Sequence, residues 1–210
     1  MNKINYDLEM LKLLDSKDYC GKLCLHSCCA PCSSYCILEL TRGFDITVFY
    51  YNPNLDSLDE FNKRKEEEKR FINLVEHKHE LNYVDIGYDN ESFIKIAKGK
   101  EHLKEGGERC FECFNLRLEK TAQYAKENNY DYFATTLTIS PLKNAAKINE
   151  IGFLLEKKYG IKYLATDFKK RDGYLKSTQI SKEYCMYRQN YCGCIYSKLE
   201  RESQINKEIK

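Results

Sequence analysis

The sequence has no tryptophan and only three prolines among 210 residues. It also lacks a long apolar run: nothing approaches the roughly 18 consecutive apolar residues of a membrane span. The opening Met-Asn-Lys-Ile-Asn-Tyr-Asp contains no apolar stretch and no small-residue cleavage site, so a secretory leader is not expected. No charge of one sign dominates. Lys and Arg number 34 against 32 Asp and Glu, a formal net of +2. The net charge therefore does not by itself mark a polyanion binder, and any nucleic-acid contact must come from a local basic patch. Internal repeats and low-complexity linkers are absent. These absences together predict a cytoplasmic protein.

Cysteine, by contrast, is abundant, with eleven residues in clusters. In a reducing compartment such a chain binds metal or does redox chemistry more often than it carries structural disulfides. The odd count argues the same way. Seventeen Tyr and ten Phe supply the aromatics, an excess that carries no functional weight in a Lys- and Asn-rich sequence.

Strand and helix patterns alternate about five times. Apolar or β-branched runs at 23–27, 45–51, 83–86, 132–138 and 161–165 read as strands. Helical spacing covers 4–16, 31–42, 56–80, 110–128 and 143–159, with Gly43 and Gly160 as stops. On the first helix Leu8, Leu11, Leu13 and Leu14 form the expected apolar side. The charge run Lys65 to Arg70 reads as a solvated face. Two further helical segments flank Tyr191-Cys192-Gly193-Cys194. This alternation predicts an α/β fold with a parallel, doubly wound sheet. One domain over 1–210 is expected: an N-terminal helix (1–20), a core of sheet and crossovers (22–167), and a helical C-terminal segment (168–210). The last ten residues are expected to fray.

Cys28 and Cys29 sit where strand one stops and a helix begins. In an open α/β sheet that joint lies at the carboxyl edge, where ligands bind. Cys110-Phe-Glu-Cys113 opens a later helix, where the dipole and free N–H groups favour thiolate. Cys28, Cys29, Cys110 and Cys113 would satisfy either tetrahedral zinc or a [4Fe–4S] cluster. Neighbouring side chains are expected to diverge, which favours the widely spaced corners of a cluster. Cys192-Gly-Cys194 reads as a two-electron reservoir, a strained and readily reduced disulfide, or else as a further pair of metal ligands. Cys32 is either a ligand of a second metal or a reactive thiol. Cys20, Cys24, Cys36 and Cys185 read as packing residues. His26 can orient a ligand, donate a proton or simply be a hydrogen-bonded core residue.

Several separated stretches resemble the QueH-type epoxyqueuosine reductases. They are Leu25-His26-Ser27-Cys28-Cys29-Ala30-Pro31-Cys32-Ser33, Phe49-Tyr50-Tyr51-Asn52-Pro53-Asn54, Gly106-Gly107-Glu108-Arg109-Cys110-Phe111-Glu112-Cys113-Phe114, Thr135-Thr136-Leu137 with Ser140-Pro141, and Tyr187 to Ile195. The resemblance covers about Lys22 to Arg201. It implies a Rossmann-like, nucleotide-alpha-hydrolase-type sheet. It implies reduction of the epoxide of epoxyqueuosine, at the wobble position of a tRNA anticodon, to the alkene of queuosine. It further implies a cobalamin-independent iron–sulfur enzyme, with Cys28, Cys29, Cys110 and Cys113 as ligands of a [4Fe–4S] cluster and Cys192–Cys194 as a redox-active disulfide. A cysteine pair stands where ATP-using tRNA-thiolating relatives carry a phosphate loop, so no ATP use is expected.

Around that chemistry the expected parts are a second metal near Cys32, and His26 or Tyr51 as the acid. Tyr51, Asn52, Asn54, Arg109 and Arg188 are expected to contact substrate. Lys169, Lys170, Arg171 and Arg117 are candidate tRNA contacts. An external electron donor is required. The rival readings are an iron-free thiol-disulfide oxidoreductase, which needs only Cys192 and Cys194, and a zinc-stabilised RNA-binding module.

Overall fold

Five parallel strands, eight α-helices and two short 3-10 helices (Thr136–Ile139 and Lys170–Asp172) lie within residues 4 to 208, the part of the chain that the structure, a computed structural model, describes. The strands are β1 (Gly21–Ser27), β2 (Phe44–Tyr50), β3 (Leu81–Asp85), β4 (Tyr132–Thr135) and β5 (Lys162–Tyr163). Their order is β3-β2-β1-β4-β5, all parallel. The winding reverses beside β1, which pairs with both β2 and β4. The carboxyl end of β1 is therefore the switch point of the sheet, where such folds leave a crevice.

The helices are α1 (Tyr6–Ser16), α2 (Ala30–Leu40), α3 (Leu58–Leu74), α4 (Asn90–Ala97), α5 (Glu108–Glu127), α6 (Ala145–Tyr159), α7 (Gly173–Glu183) and α8 (Ile195–Glu208). Their starts are written locally. The side chains of Asn5, Ser57, Asp89 and Asn144 accept from backbone N–H groups in the first turns of α1, α3, α4 and α6. Pro31 occupies the first turn of α2, where its missing N–H costs nothing. Gly160 ends α6 in the left-handed conformation at φ 62°, as a C′ glycine should.

Both faces of the sheet are covered, so β1 is buried on both sides and reads as a continuous apolar run. Leu23 and Leu25 pack toward α1, α2 and α3, with Met10, Ile37 and Phe71. Cys24 and Phe133 pack toward α5 and α6, with Leu118, Ala122 and Ile148.

Several expectations are corrected by tertiary context. On α1, Leu14 is buried with Met10, and Leu11 and Leu13 pack half-buried against the core as expected, but Leu8 is 49% exposed. α3 ends at Leu74, short of residue 80. Helix α4 lies in a stretch that the periodicity left unassigned. α8 runs to Glu208, into the stretch expected to fray, and the last two residues of that stretch lie outside the described part. Cys185 is exposed rather than packed. The charged run on α3 is not wholly solvated, because Glu68 is 0% exposed and Arg64, just before the run, is 1% exposed.

Glu68 Oε1 accepts from Ser33 Oγ at 2.6 Å, and Oε2 has no partner. Burial pushes its carboxyl from 4.5 up to about 8, against the pull of Ser33 and Ser27 and with Cys28 and Glu67 adding to the rise. The folded chain then keeps a proton that the unfolded chain has lost. Stability attributable to this group falls as pH rises between those two values, by up to about 1.4 kcal/mol per pH unit. Glu68→Gln should therefore gain on the parent between pH 5 and pH 8 in urea unfolding. Equal differences at both pH values would show that Glu68 is not held protonated.

Candidate metal centre

The chain leaves β1 at Ser27 and enters α2 at Ala30, with Cys28 and Cys29 as the joint. Cys29 is the N-cap of α2, in extended conformation. The bend brings the vicinal thiols together: Cys28 Sγ and Cys29 Sγ are 3.9 Å apart. The expectation that they diverge is corrected. One helical turn onward, Cys32 joins them, and the three sulfurs all lie within 4.8 Å of one another. Around a single tetrahedral ion, metal–sulfur bonds of ~2.3 Å would put sulfurs about 3.8 Å apart, so this spacing already suits metal.

A buried thiol must ionise to bind. The Cys28 thiol is held well below its ordinary value because Cys29 and Cys32 donate to its sulfur, with Lys143 and Arg117 adding their charge. Cys29 is pushed up to about 12, chiefly as the donor to Cys28. Cys29 Sγ also accepts from Gln189 Nε2 at 3.0 Å, and Thr136 Oγ1 donates to Cys28 Sγ at 3.7 Å. Gln189 and Thr136 lie in stretches that carry the family resemblance, yet neither was singled out.

Cys110 and Cys113 do not join the close trio; among the described residues only Cys28, Cys29 and Cys32 meet within 4.8 Å. Instead Cys110 and Cys113 share a small void of about 20 Å³ with Cys192 and Cys194. Burial, not the helix dipole, dominates their chemistry and raises both thiols, Cys113 to about 12. A metal would have to displace those protons. The expected Cys192–Cys194 disulfide is not formed, and both are free thiols. Gly193 between them has φ 130°, and a Cβ there would meet Leu55 and Arg64. No other residue suits that turn.

The trio opens onto a cleft of about 640 Å³, which Cys192 of the second group, Lys143 and Arg188 also help to line. Lys143 is half-buried. Burial opposes its charge, but Cys192, Cys28 and Cys32 more than restore it, so its pKa is raised. Neither Lys143 nor the buried Arg64 stood out in the sequence, since a lone basic residue carries no periodic signal.

A family model described as "Epoxyqueuosine reductase QueH" matches residues 23–200. This chain belongs to the epoxyqueuosine reductase QueH family. Epoxyqueuosine reductases are oxidoreductases, and curated relatives of that name are similar along most of their length. The protein of Staphylococcus epidermidis is 40% identical over 218 residues, covering 99% of this chain and 92% of the relative. That of Streptococcus pyogenes is 41% identical over 93% of this chain and 78% of its own length. That of Thermotoga maritima is 38% identical over 88% and 94%. Among solved structures, the U34-tRNA thiolase NcsA from Methanococcus maripaludis, with its [4Fe-4S] cluster, has the same fold. The TM-score is 0.53 at 15% identity, over 91% of this chain and 67% of that one.

Within the QueH-family site, the remaining expected residues are placed as follows. His26 is 0% exposed. Its Nδ1 lies 2.9 Å from Thr135 Oγ1 and its Nε2 3.2 Å from the Tyr51 carbonyl. Burial and Arg117 hold its pKa down to about 3, so the ring is neutral near neutral pH. Tyr51 is 3% exposed and its hydroxyl donates to Asp89 at 3.0 Å. It lines a different surface pocket, with Asp89 and Lys120, and is no stacking platform in the cleft. Asn52 is buried and donates to the Ser27 carbonyl at 2.9 Å, fastening the ends of β1 and β2. Asn54 does reach the small void, and its Oδ1 is unpaired.

Arg109 is 2% exposed and donates through Nη1 to the carbonyls of Lys100, Glu101 and Leu103, clasping the loop before α5, while it also lines the void of Cys110, Cys113, Cys192 and Cys194 with its Nε unpaired. Arg171 is paired with Asp7 and Glu39, and Lys169 with Asp167, which removes both from the free basic surface. Arg188 is exposed at the cleft and donates to Ser181 Oγ at 3.0 Å. Among the described residues no helix is long and apolar enough to cross a membrane.

Proposed function

We propose that this chain removes the epoxide oxygen of epoxyqueuosine in tRNA, in the cytoplasm, and that its cysteines hold a [4Fe–4S] cluster for the purpose. The observation that carries this reading is the trio Cys28, Cys29 and Cys32 at the switch point of the sheet, facing a cleft that also holds Cys192. The donor set fits the group: it is all thiol, with no carboxylate or carbonyl ligand, which suits iron–sulfur or zinc over hard cations. Two basic residues, Lys143 and Arg117, face the same sulfurs and offset the negative charge of a thiolate-bound centre. The family resemblance implies Cys28 and Cys29 with Cys110 and Cys113 as the ligands, although Cys110 and Cys113 lie outside the close trio, beside Cys192 and Cys194, and Cys32 would serve a metal next to them. When bound, a cluster supplies electrons singly and an electrophilic iron.

The chain's own residues do the rest. Taking an epoxide to an alkene and water consumes two electrons and two protons. The Cys192 and Cys194 dithiol releases two of each on closing to a disulfide, and an external donor resets it. Gln189 and Thr136 hold the sulfurs of Cys29 and Cys28 in place. Arg188 and Lys143 present positive charge at the cleft, where an RNA backbone passes.

Anaerobically purified protein should carry iron and sulfide, and with dithionite should convert epoxyqueuosine to queuosine in tRNA over many turnovers. Cys194→Ser should keep its iron but lose the single turnover that pre-reduced protein supports without added reductant. A colourless protein holding one zinc, inactive with dithionite, would refute the proposal. Unimpaired single turnover in Cys194→Ser would remove the dithiol from it.

A further inference from the structure

Arg117 lies on α5, one turn after Cys113, and is 1% exposed. Its Nε donates to the Cys113 carbonyl at 3.2 Å, and its Nη2 has no hydrogen-bond partner. It lines both the void shared by Cys110, Cys113, Cys192 and Cys194 and the cleft that holds Cys28, Cys29 and Cys32. The guanidinium thus stands between the two cysteine groups.

A guanidinium buried without a counter-charge is strongly disfavoured. No carboxylate is paired with Arg117 among the described residues. The groups that sustain its charge against burial are Cys113, Cys192, Cys28 and Cys110, all sulfurs. Glu105 and Asn54 line the same void, but neither is bonded to the guanidinium, and the charges that bear on it are those of the sulfurs. Arg64 shows the contrast. It is equally buried and beside Cys29, but Glu60 pairs with it at 2.7 Å.

We propose that Arg117 is the counter-ion of the metal–thiolate centre and a positioning residue that raises its reduction potential. This rests on the iron–sulfur reading above. A one-electron reduction makes the centre more negative, and a nearby cation stabilises the reduced form more than the oxidised one. Burial strengthens that difference, and net charge is one of the levers that set cluster potentials. Lys143, on the loop before α6, acts on the same centre from the side of Cys28, Cys32 and Cys192. The two cations are independent, so each tests the idea.

The experiment is a potentiometric titration of iron-loaded protein with dithionite, followed by visible absorbance. Arg117→Gln should lower the midpoint by a tenfold or larger change in the reduced-to-oxidised ratio, 59 mV for one electron. Arg117→Lys, which keeps the charge, should recover most of that shift. Lys143→Gln should move the midpoint in the same direction. If Arg117→Gln loses its iron while Arg117→Lys retains it, the charge is required for the centre and the proposal stands. Full iron and sulfide in Arg117→Gln with the parent's midpoint would overturn it. So would loss of iron in both Arg117 variants, which would make the guanidinium a structural clasp. A parent protein without iron overturns the iron–sulfur reading as well, whereas an unmoved midpoint overturns this inference alone.

Discussion

Cys29→Ser should lose its metal and fall by more than about 100-fold in epoxyqueuosine reduction. Altering groups behind a metal's ligands already costs 10- to 100-fold, and Cys29 is itself a proposed ligand. Its sulfur is 3.9 Å from Cys28 Sγ and belongs to the one trio of thiols within 4.8 Å among the described residues. Serine offers a harder and far less acidic donor in its place, a poor ligand for iron or zinc. It is also a good N-cap residue, so α2 should still start and the loss should not come from unfolding. Cys36→Ala is the control. Cys36 is buried on the same helix, its thiol donates to the Cys32 carbonyl at 3.3 Å, and it faces the core rather than the cleft. Iron and sulfide analysis of both variants reads the result. Retained iron and turnover in Cys29→Ser would end the assignment of this joint as a metal site.

His26→Ala should cost about 3–5 kcal/mol of stability, and its activity should follow the folded fraction. The imidazole ties three strands at their carboxyl ends, from β1 to Thr135 of β4 and to Tyr51 just after β2. Removing it deprives the buried Tyr51 carbonyl of its ring partner, at about 1–3 kcal/mol, leaves Thr135 Oγ1 only the Leu137 N–H, and opens a cavity. A signature in pH separates this from a catalytic role. The folded histidine stays neutral down to about 3 against an ordinary 6.5. In that window the unfolded chain binds a proton and the folded chain does not. Falling pH therefore destabilises the parent by up to about 1.4 kcal/mol per pH unit through this group, and the alanine variant escapes that slope. Urea midpoints at pH 7 and pH 5 measure both effects. A variant as stable as the parent but inactive would return His26 to the chemistry.

How far these residues could be read from the sequence depends on how local their signals are. Gly160 announces a helix stop, because a C-terminal cap involves only neighbours in the chain. The strands were legible because burial on both faces leaves β1 no polar alternation. Helix α4 escaped because eight residues give too few turns for a period to emerge. Leu8 on α1 misled, since spacing gives a helix an apolar side but not which part of it meets the sheet.

The site divides along the same line. Cys28, Cys29, Cys110, Cys113, Cys192 and Cys194 are conspicuous by number and spacing, and the motifs around them carry the family. That Cys28 and Cys29 converge depends on the bend between β1 and α2, which spacing alone does not describe. The burial of Arg117, Arg64 and Glu68 depends on α3 and α5 packing beside a switch point built from distant segments. The commitment of His26, Tyr51 and Arg109 to their own fold depends on carbonyls and carboxylates elsewhere in the chain. The sequence alone therefore determined the class of fold, the family and the thiol chemistry, since each is carried by residue types and local periods. Which sulfurs meet, which cations are trapped beside them and which candidates are spent on structure were decided by tertiary packing. Those are matters of distance and desolvation, and both arise only when remote segments are brought together.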